Sequence, residues 1–92
     1  MKLFVIGSLD QENEIKEYAQ TIGKEYEETH WLKSYANKSQ AEFIADAFNK
    51  IEKADIVYAL SRADKLFDEG TLYLMEYARR LKKEIRIIYS RS

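Results

Sequence analysis

Short apolar runs separated by amphipathic segments constrain this chain more than any other feature. Leu3-Phe4-Val5-Ile6 is apolar without a break and ends at Gly7-Ser8. Asp55-Ile56-Val57-Tyr58-Ala59-Leu60 is the most convincing strand after it, and Glu84-Ile85-Arg86-Ile87-Ile88-Tyr89 reads as the last strand. Runs of this length that do not alternate suit strands buried on both faces. Between them the period changes to that of a helix. Ile15, Tyr18, Ala19 and Ile22 fall at i, i+3, i+4 and i+7, with Asp10 as the expected N-cap and Gly23 as the stop. Ile44, Ala47, Phe48 and Ile51 form a second stripe, opened by Ser39 as N-cap and Glu42 completing a capping box. Leu74, Tyr77, Ala78 and Leu81 form a third, in a helix expected over 70–82. Arg79, Arg80, Lys82 and Lys83 crowd its carboxyl end, where the helix dipole favours cations. Residues 25–31 alternate in part and read as a polar edge strand; 33–38 and 61–68 read as loops.

The resulting order is βαβαβαβ in one domain, residues 1–92. Strands that alternate with helices imply a parallel sheet with right-handed crossovers. The expected fold is α/β: a flavodoxin-like three-layer sandwich with a four-stranded parallel sheet in the order 2-1-3-4. Ligands of such sheets bind beyond the carboxyl ends of the strands, where the order reverses. The reversal falls between the first and third strands, so the loops at 7–10 and 61–71 are where a site is expected.

Composition excludes several classes. The chain carries 15 basic and 16 acidic residues, a net charge of −1, which leaves no footprint for binding a nucleic-acid polymer. No apolar stretch approaches the ~20 residues of a membrane span, and a soluble cytoplasmic protein is expected. With no Cys there is neither a disulfide nor a thiolate metal site. A chain of 92 residues buries a modest core, so self-association, most simply a homodimer, is the expected support.

The two site loops hold the candidate ligand groups. Gly7, Ser8 and Leu9 lie where backbone N–H groups and a hydroxyl can meet a phosphate or sugar. The bland alternative is a tight turn. Asp68-Glu69-Gly70-Thr71 opens a helix: Asp68 suits ribose hydroxyls, and the N–H groups of Gly70 and Thr71 suit an anion. Asp68 also reads simply as an N-cap, with Glu69 favoured by the dipole. Ser61 and Asp64 flank the same loop. Trp31 suits stacking on a base at a strand's end, although packing is the commoner fate of a Trp. His30 is the only histidine and has no placed partner, so no metal site and no Ser-His-Asp set is expected. No cofactor is implied: G-x-G-x-x-G is absent. The strand ending Ala59-Leu60-Ser61 also lacks the Asp that a phosphate-accepting receiver needs.

Gly7-Ser8-Leu9 after the first strand, then Ala54-Asp55 opening the third, then Asp68, Gly70-Thr71, Tyr77-Ala78 and the strand 85–88 resemble the nucleoside 2-deoxyribosyltransferase family, in particular its short bacterial or phage-type members. The resemblance implies the fold already read and a homo-oligomer. It also implies chemistry at the N-glycosidic bond of deoxynucleosides or their monophosphates, begun by a Glu that attacks the anomeric carbon. Position by position, Gly7 and Ser8 match the loop that holds the sugar or its phosphate, and Asp68 matches an acid before the helix. The nucleophile's position falls on Leu74, and a second acid's on Ala47. Leu cannot form a glycosyl ester. Glu76 is roughly 200° around the helix from Leu74, and Asp46 is about 100° from Ala47, so neither substitutes without distortion.

Three functions follow as expectations. The first is a nucleoside- or nucleotide-binding protein that lacks the nucleophile. The second is an active N-glycosidic hydrolase or deoxyribosyltransferase that uses Asp68 and Glu69. The third is a protein-interaction module that kept only the fold.

Overall fold

The computed structural model describes residues 1–33 and 39–90. Four strands, β1 (Lys2–Ile6), β2 (Glu28–Trp31), β3 (Ile56–Leu60) and β4 (Glu84–Ile88), form one sheet in the order β2-β1-β3-β4. All three pairings are parallel, with Phe4 opposite both His30 and Val57. Helices α1 (Glu12–Ile22), α2 (Gln40–Lys53) and α3 (Glu69–Arg80) supply the crossovers. The fold expected from the apolar runs is therefore the fold observed.

The pleat of β1 sorts the core into two layers. Leu3 and Val5 face Ile15 and Ala19 of α1, together with Ile56 and Leu60 of β3. Phe4 and Ile6 face the other way, toward Ala47 and Ile51 of α2 and Leu74, Met75 and Ala78 of α3. Leu3, Phe4, Val5 and Ile6 are all essentially inaccessible to solvent. Burying a side chain of that size stabilises the fold by about 2 kcal/mol. This explains why the run shows no polar alternation: both faces of a central parallel strand are covered.

The helix ends follow local chemistry, with three departures from expectation. Ser39 Oγ accepts the Glu42 N–H at 3.2 Å and caps α2 as expected. Asp10 caps nothing. A 3-10 turn over Leu9–Gln11 intervenes, closed by the Gln11 N–H donating to the Ser8 carbonyl at 2.9 Å, and α1 starts at Glu12. Gly23 does end α1, but with a right-handed φ of −61°. What it supplies is room, since a Cβ there would lie 2.6 Å from Thr29 Oγ1. A second 3-10 turn at Gly23–Glu25 then shortens the strand read over 25–31 to β2. The loop read over 33–38 lies outside the described residues beyond 33.

The third departure is at α3, which ends at Arg80, two residues early. Lys82 adopts a left-handed φ of 59°. Its N–H donates to the Arg79 carbonyl at 2.9 Å, and the Lys83 N–H to that of Ala78 at 3.0 Å. This is a Schellman cap with lysine where glycine is preferred. Leu81, expected on the buried stripe, is consequently 40% exposed, and Thr71 and Met75 take the inner face with Leu74 and Ala78. Lys82→Gly should raise stability by roughly 1 kcal/mol, because a side chain in the left-handed region costs about that much. A urea melt that shows no gain, or a loss, would contradict this account of the cap.

Candidate functional site

Between the β1 loop and the first turns of α2 and α3 lies a cavity of about 430 Å³. It sits beyond the carboxyl ends of β1 and β3, at the point where the strand order reverses, as ligand cavities of such sheets do. One side is polar: Gly7, Ser8 and Asp10 from the β1 loop, and Asp68, Gly70 and Thr71 from the start of α3. The other is largely apolar: Leu32 after β2, Phe43 and Ile44 of α2, and Leu74 of α3. Leu9, Gln40 and Tyr73 complete the rim.

Asp68 is the best-defined group. Its Oδ1 accepts the Thr71 N–H at 2.8 Å, as an N-cap does. Burial on its own pushes this carboxyl upward. The Thr71 hydroxyl and N–H, the Ser8 hydroxyl and the Arg62 guanidinium outweigh that, and the group is held below the usual carboxylate value. Asp68 therefore faces the cavity as a carboxylate at neutral pH, with lone pairs free to accept from hydroxyl groups. The folded-state value lies below the unfolded one, so the stabilisation is present above the unfolded value, near pH 4. It is lost as pH falls through the folded value. Acid unfolding of Asp68→Asn should accordingly show a shallower loss of stability below about pH 4 than the parent. Identical acid limbs would remove the charge from the account.

Thr71 is 2% exposed, and its hydroxyl lies beside the Asp68 carboxylate that it helps to hold ionised. Leu74 is 4% exposed, packed in the core layer and touching the cavity floor.

The sequence-predicted residues divide into two groups. Gly7, Ser8, Leu9, Asp68, Gly70, Thr71 and Leu74 line one cavity. Trp31, Ser61, Asp64 and Glu69 do not. Trp31 pairs in register with Val5, and so packs on the α1 face, with Lys33 Nζ 4.7 Å above its ring. Ser61 is fully buried, its hydroxyl donating to the Arg62 carbonyl at 3.1 Å. Asp64 accepts the Leu66 N–H at 3.0 Å in a local turn. It lines a separate open depression with Asp10, Gln11, Arg62 and Ser90. Glu69 is exposed in the first turn of α3.

Sequence reasoning missed Leu32, Gln40 and Phe43 as lining residues, and it read Ile44 as packing only. The signal lay in α2, whose apolar stripe continues up to the helix's first turn, at the carboxyl edge of the sheet. A smaller cleft of about 210 Å³ opens beside α2 on the β2 side, lined among others by Lys2, Glu28, His30, Asp46 and Lys50. Lys50 pairs there with Asp46 at 3.3 Å and Lys2 with Glu28 at 3.7 Å.

The fold and this cavity define the class: a doubly wound parallel α/β domain with a half-polar, half-apolar pocket at its switch point. No protein-family model and no curated protein matches the sequence. Solved structures do share the fold. A 2-desoxiribosyltransferase from Leishmania mexicana superposes with a TM-score of 0.73 at 17% identity, covering 96% of this chain and 63% of its own. A CMP N-glycosidase from Clostridium botulinum superposes with a TM-score of 0.68 at 14% identity, covering 100% of this chain and 71% of its own. The chain thus spans about two thirds of the length of these neighbours. The fold that the resemblance implied is the fold these structures share. No helix of the described residues is long and apolar enough to cross a membrane.

Proposed function

We propose that the chain binds a nucleoside in this cavity and does not turn it over by the covalent route. The observation that carries the reading is the composition of the lining. An ionised Asp68 beside the Ser8 and Thr71 hydroxyls suits the hydroxyl groups of a sugar. Phe43, Ile44, Leu32 and Leu74 suit the flat face of a base. At Leu74, the position that the resemblance assigns to the attacking Glu, the floor carries only carbon. The named activities of the two structural neighbours, deoxyribosyl transfer and CMP N-glycosidic cleavage, support a nucleoside-type ligand.

A neutral nucleoside fits better than its monophosphate. Among the described residues, the lining holds two aspartates, Asp10 and Asp68, and no cation. A phosphate dianion there meets like charge, with no lysine or arginine among the described lining residues to offset it. Calorimetric titration should therefore give a lower Kd for a deoxynucleoside than for its 5′-monophosphate. The reverse order would overturn the preference, and heats at baseline for both would overturn the reading.

The same two aspartates favour a second reading, an N-glycosidic hydrolase in which one carboxylate steers a water. Free base released from a deoxynucleoside, and lost in Asp10→Asn or Asp68→Asn, would establish it.

A further inference from the structure

The two carboxylates of the lining are not equivalent. Asp68 is answered from within the protein. The Thr71 N–H at 2.8 Å, the Ser8 and Thr71 hydroxyls and the Arg62 guanidinium all favour its charge. The amino end of α3, where an anionic ligand group would otherwise settle, is thereby occupied by the chain's own carboxylate.

Asp10 has no such company. It lies exposed in the 3-10 turn after β1, and backbone closes that turn, the Gln11 N–H donating to the Ser8 carbonyl at 2.9 Å. Among the described residues the Asp10 carboxylate makes no hydrogen bond and no ion pair. An unpaired carboxylate on an exposed turn is ordinary by itself. This one lines a cavity whose described lining holds no lysine, arginine or histidine. It also borders the open depression beside the cavity, where Arg62 is accompanied by Asp64.

We propose that Asp10 is the specificity-determining residue of the cavity: it faces the 5′ end of the bound nucleoside, favours a cationic group there, tolerates a neutral one and rejects a phosphate. Asp10 has this role only if the cavity holds a nucleoside, as read above. The orientation follows from what the other walls take. Leu32, Phe43 and Ile44 suit the base, and Asp68 with its two hydroxyl neighbours suits the ring hydroxyls. With the base and the ring hydroxyls placed, the remaining arm of the sugar is C5′. It is left for Asp10, at the cavity's border with the depression. Charge then decides what C5′ can carry. A phosphate beside an unpaired carboxylate is repelled and an ammonium is attracted, and both effects reach across several ångströms without an exact contact. At an exposed site, one unit of protein charge changes the affinity for a charged group by roughly tenfold, and salt weakens the effect.

The test is a set of dissociation constants measured by calorimetry at low salt. The ligands are thymidine and 2′-deoxyadenosine, their 5′-monophosphates and their 5′-amino-5′-deoxy analogues, which are ammonium ions at neutral pH. In the parent protein the amine should bind tightest and the monophosphate weakest, and added salt should shrink the spread. Asp10→Asn should narrow the gap between monophosphate and nucleoside roughly tenfold, and Asp10→Lys roughly 100-fold, with the amine now weakest. Asp10→Glu keeps the charge and should keep the parent's order. Nucleoside binding with the same ratios in Asp10→Asn and Asp10→Lys as in the parent would overturn the role of Asp10 and leave the nucleoside reading standing. A parent protein that binds the amine more weakly than the nucleoside would do the same. Heats at baseline for every ligand would overturn both.

Discussion

Asp68→Ala is expected to raise the Kd for a nucleoside roughly 30-fold and to cost about 1 kcal/mol of stability. The two effects have separate origins. Stability falls because the Thr71 N–H loses the carboxylate oxygen 2.8 Å away, and removing a side-chain N-cap costs about that amount. Affinity falls because charge-assisted hydrogen bonds to the sugar disappear, each contributing about 1.5–3 kcal/mol, and every 1.4 kcal/mol is tenfold. Asp68→Ser separates them. Serine is nearly as good an N-cap as aspartate, but it is uncharged. Its melt should resemble the parent's while binding stays weak. If Asp68→Ser binds as tightly as the parent, Asp68 is only a cap and the proposed sugar contact is wrong.

Leu74→Glu should change chemistry as well as stability. Leu74 is 4% exposed and packed with Phe4, Ala47, Met75 and Ala78 in the core layer. Replacing it removes apolar burial and places a carboxyl in an apolar wall, a loss of about 3 kcal/mol. Burial favours the neutral acid, so the penalty should grow as pH rises and the carboxyl is forced to ionise. The new carboxyl would stand where the family resemblance sets the nucleophile, on the floor of a cavity that already holds Asp68 and Ser8. Slow release of free base from a deoxynucleoside is expected in this variant and absent from the parent protein. A folded Leu74→Glu protein that binds nucleoside but releases no base would show that the sugar does not sit with its anomeric carbon over this floor.

The sheet was legible because a central parallel strand advertises itself. Leu3-Phe4-Val5-Ile6 and Ile56-Val57-Tyr58-Ala59-Leu60 have few readings other than strands covered on both faces. The third helix shows the limit of periodicity. Leu74 and Ala78 fit two overlapping stripes, one continuing to Leu81 and the other back to Thr71 and Met75. The choice was made by Lys82, whose left-handed turn ends the helix at Arg80. A lysine does not advertise that conformation as a glycine would.

The site was legible on one side only. Topology pointed to the β1 loop and the start of α3, and Gly7, Ser8, Asp68, Gly70 and Thr71 do share one cavity. The facing wall was hidden because Phe43 and Ile44 have the spacing of core residues and became cavity residues by lying in the first turn of α2. Trp31 illustrates strand parity. Its register with Val5 turns it to the α1 face, while Leu32, one residue later, reaches the cavity. A pleat of period 2 makes that outcome depend on a single position, which no property of the tryptophan itself reveals.

The central claim is a nucleoside pocket without covalent turnover. Backbone-amide NMR during titration with a deoxynucleoside, with free base followed in the same tube, tests it most directly. The account predicts saturable shifts at Ser8, Gly70 and Thr71 and no free base over hours. Base release by the parent protein, or amides that do not move at all, would contradict it.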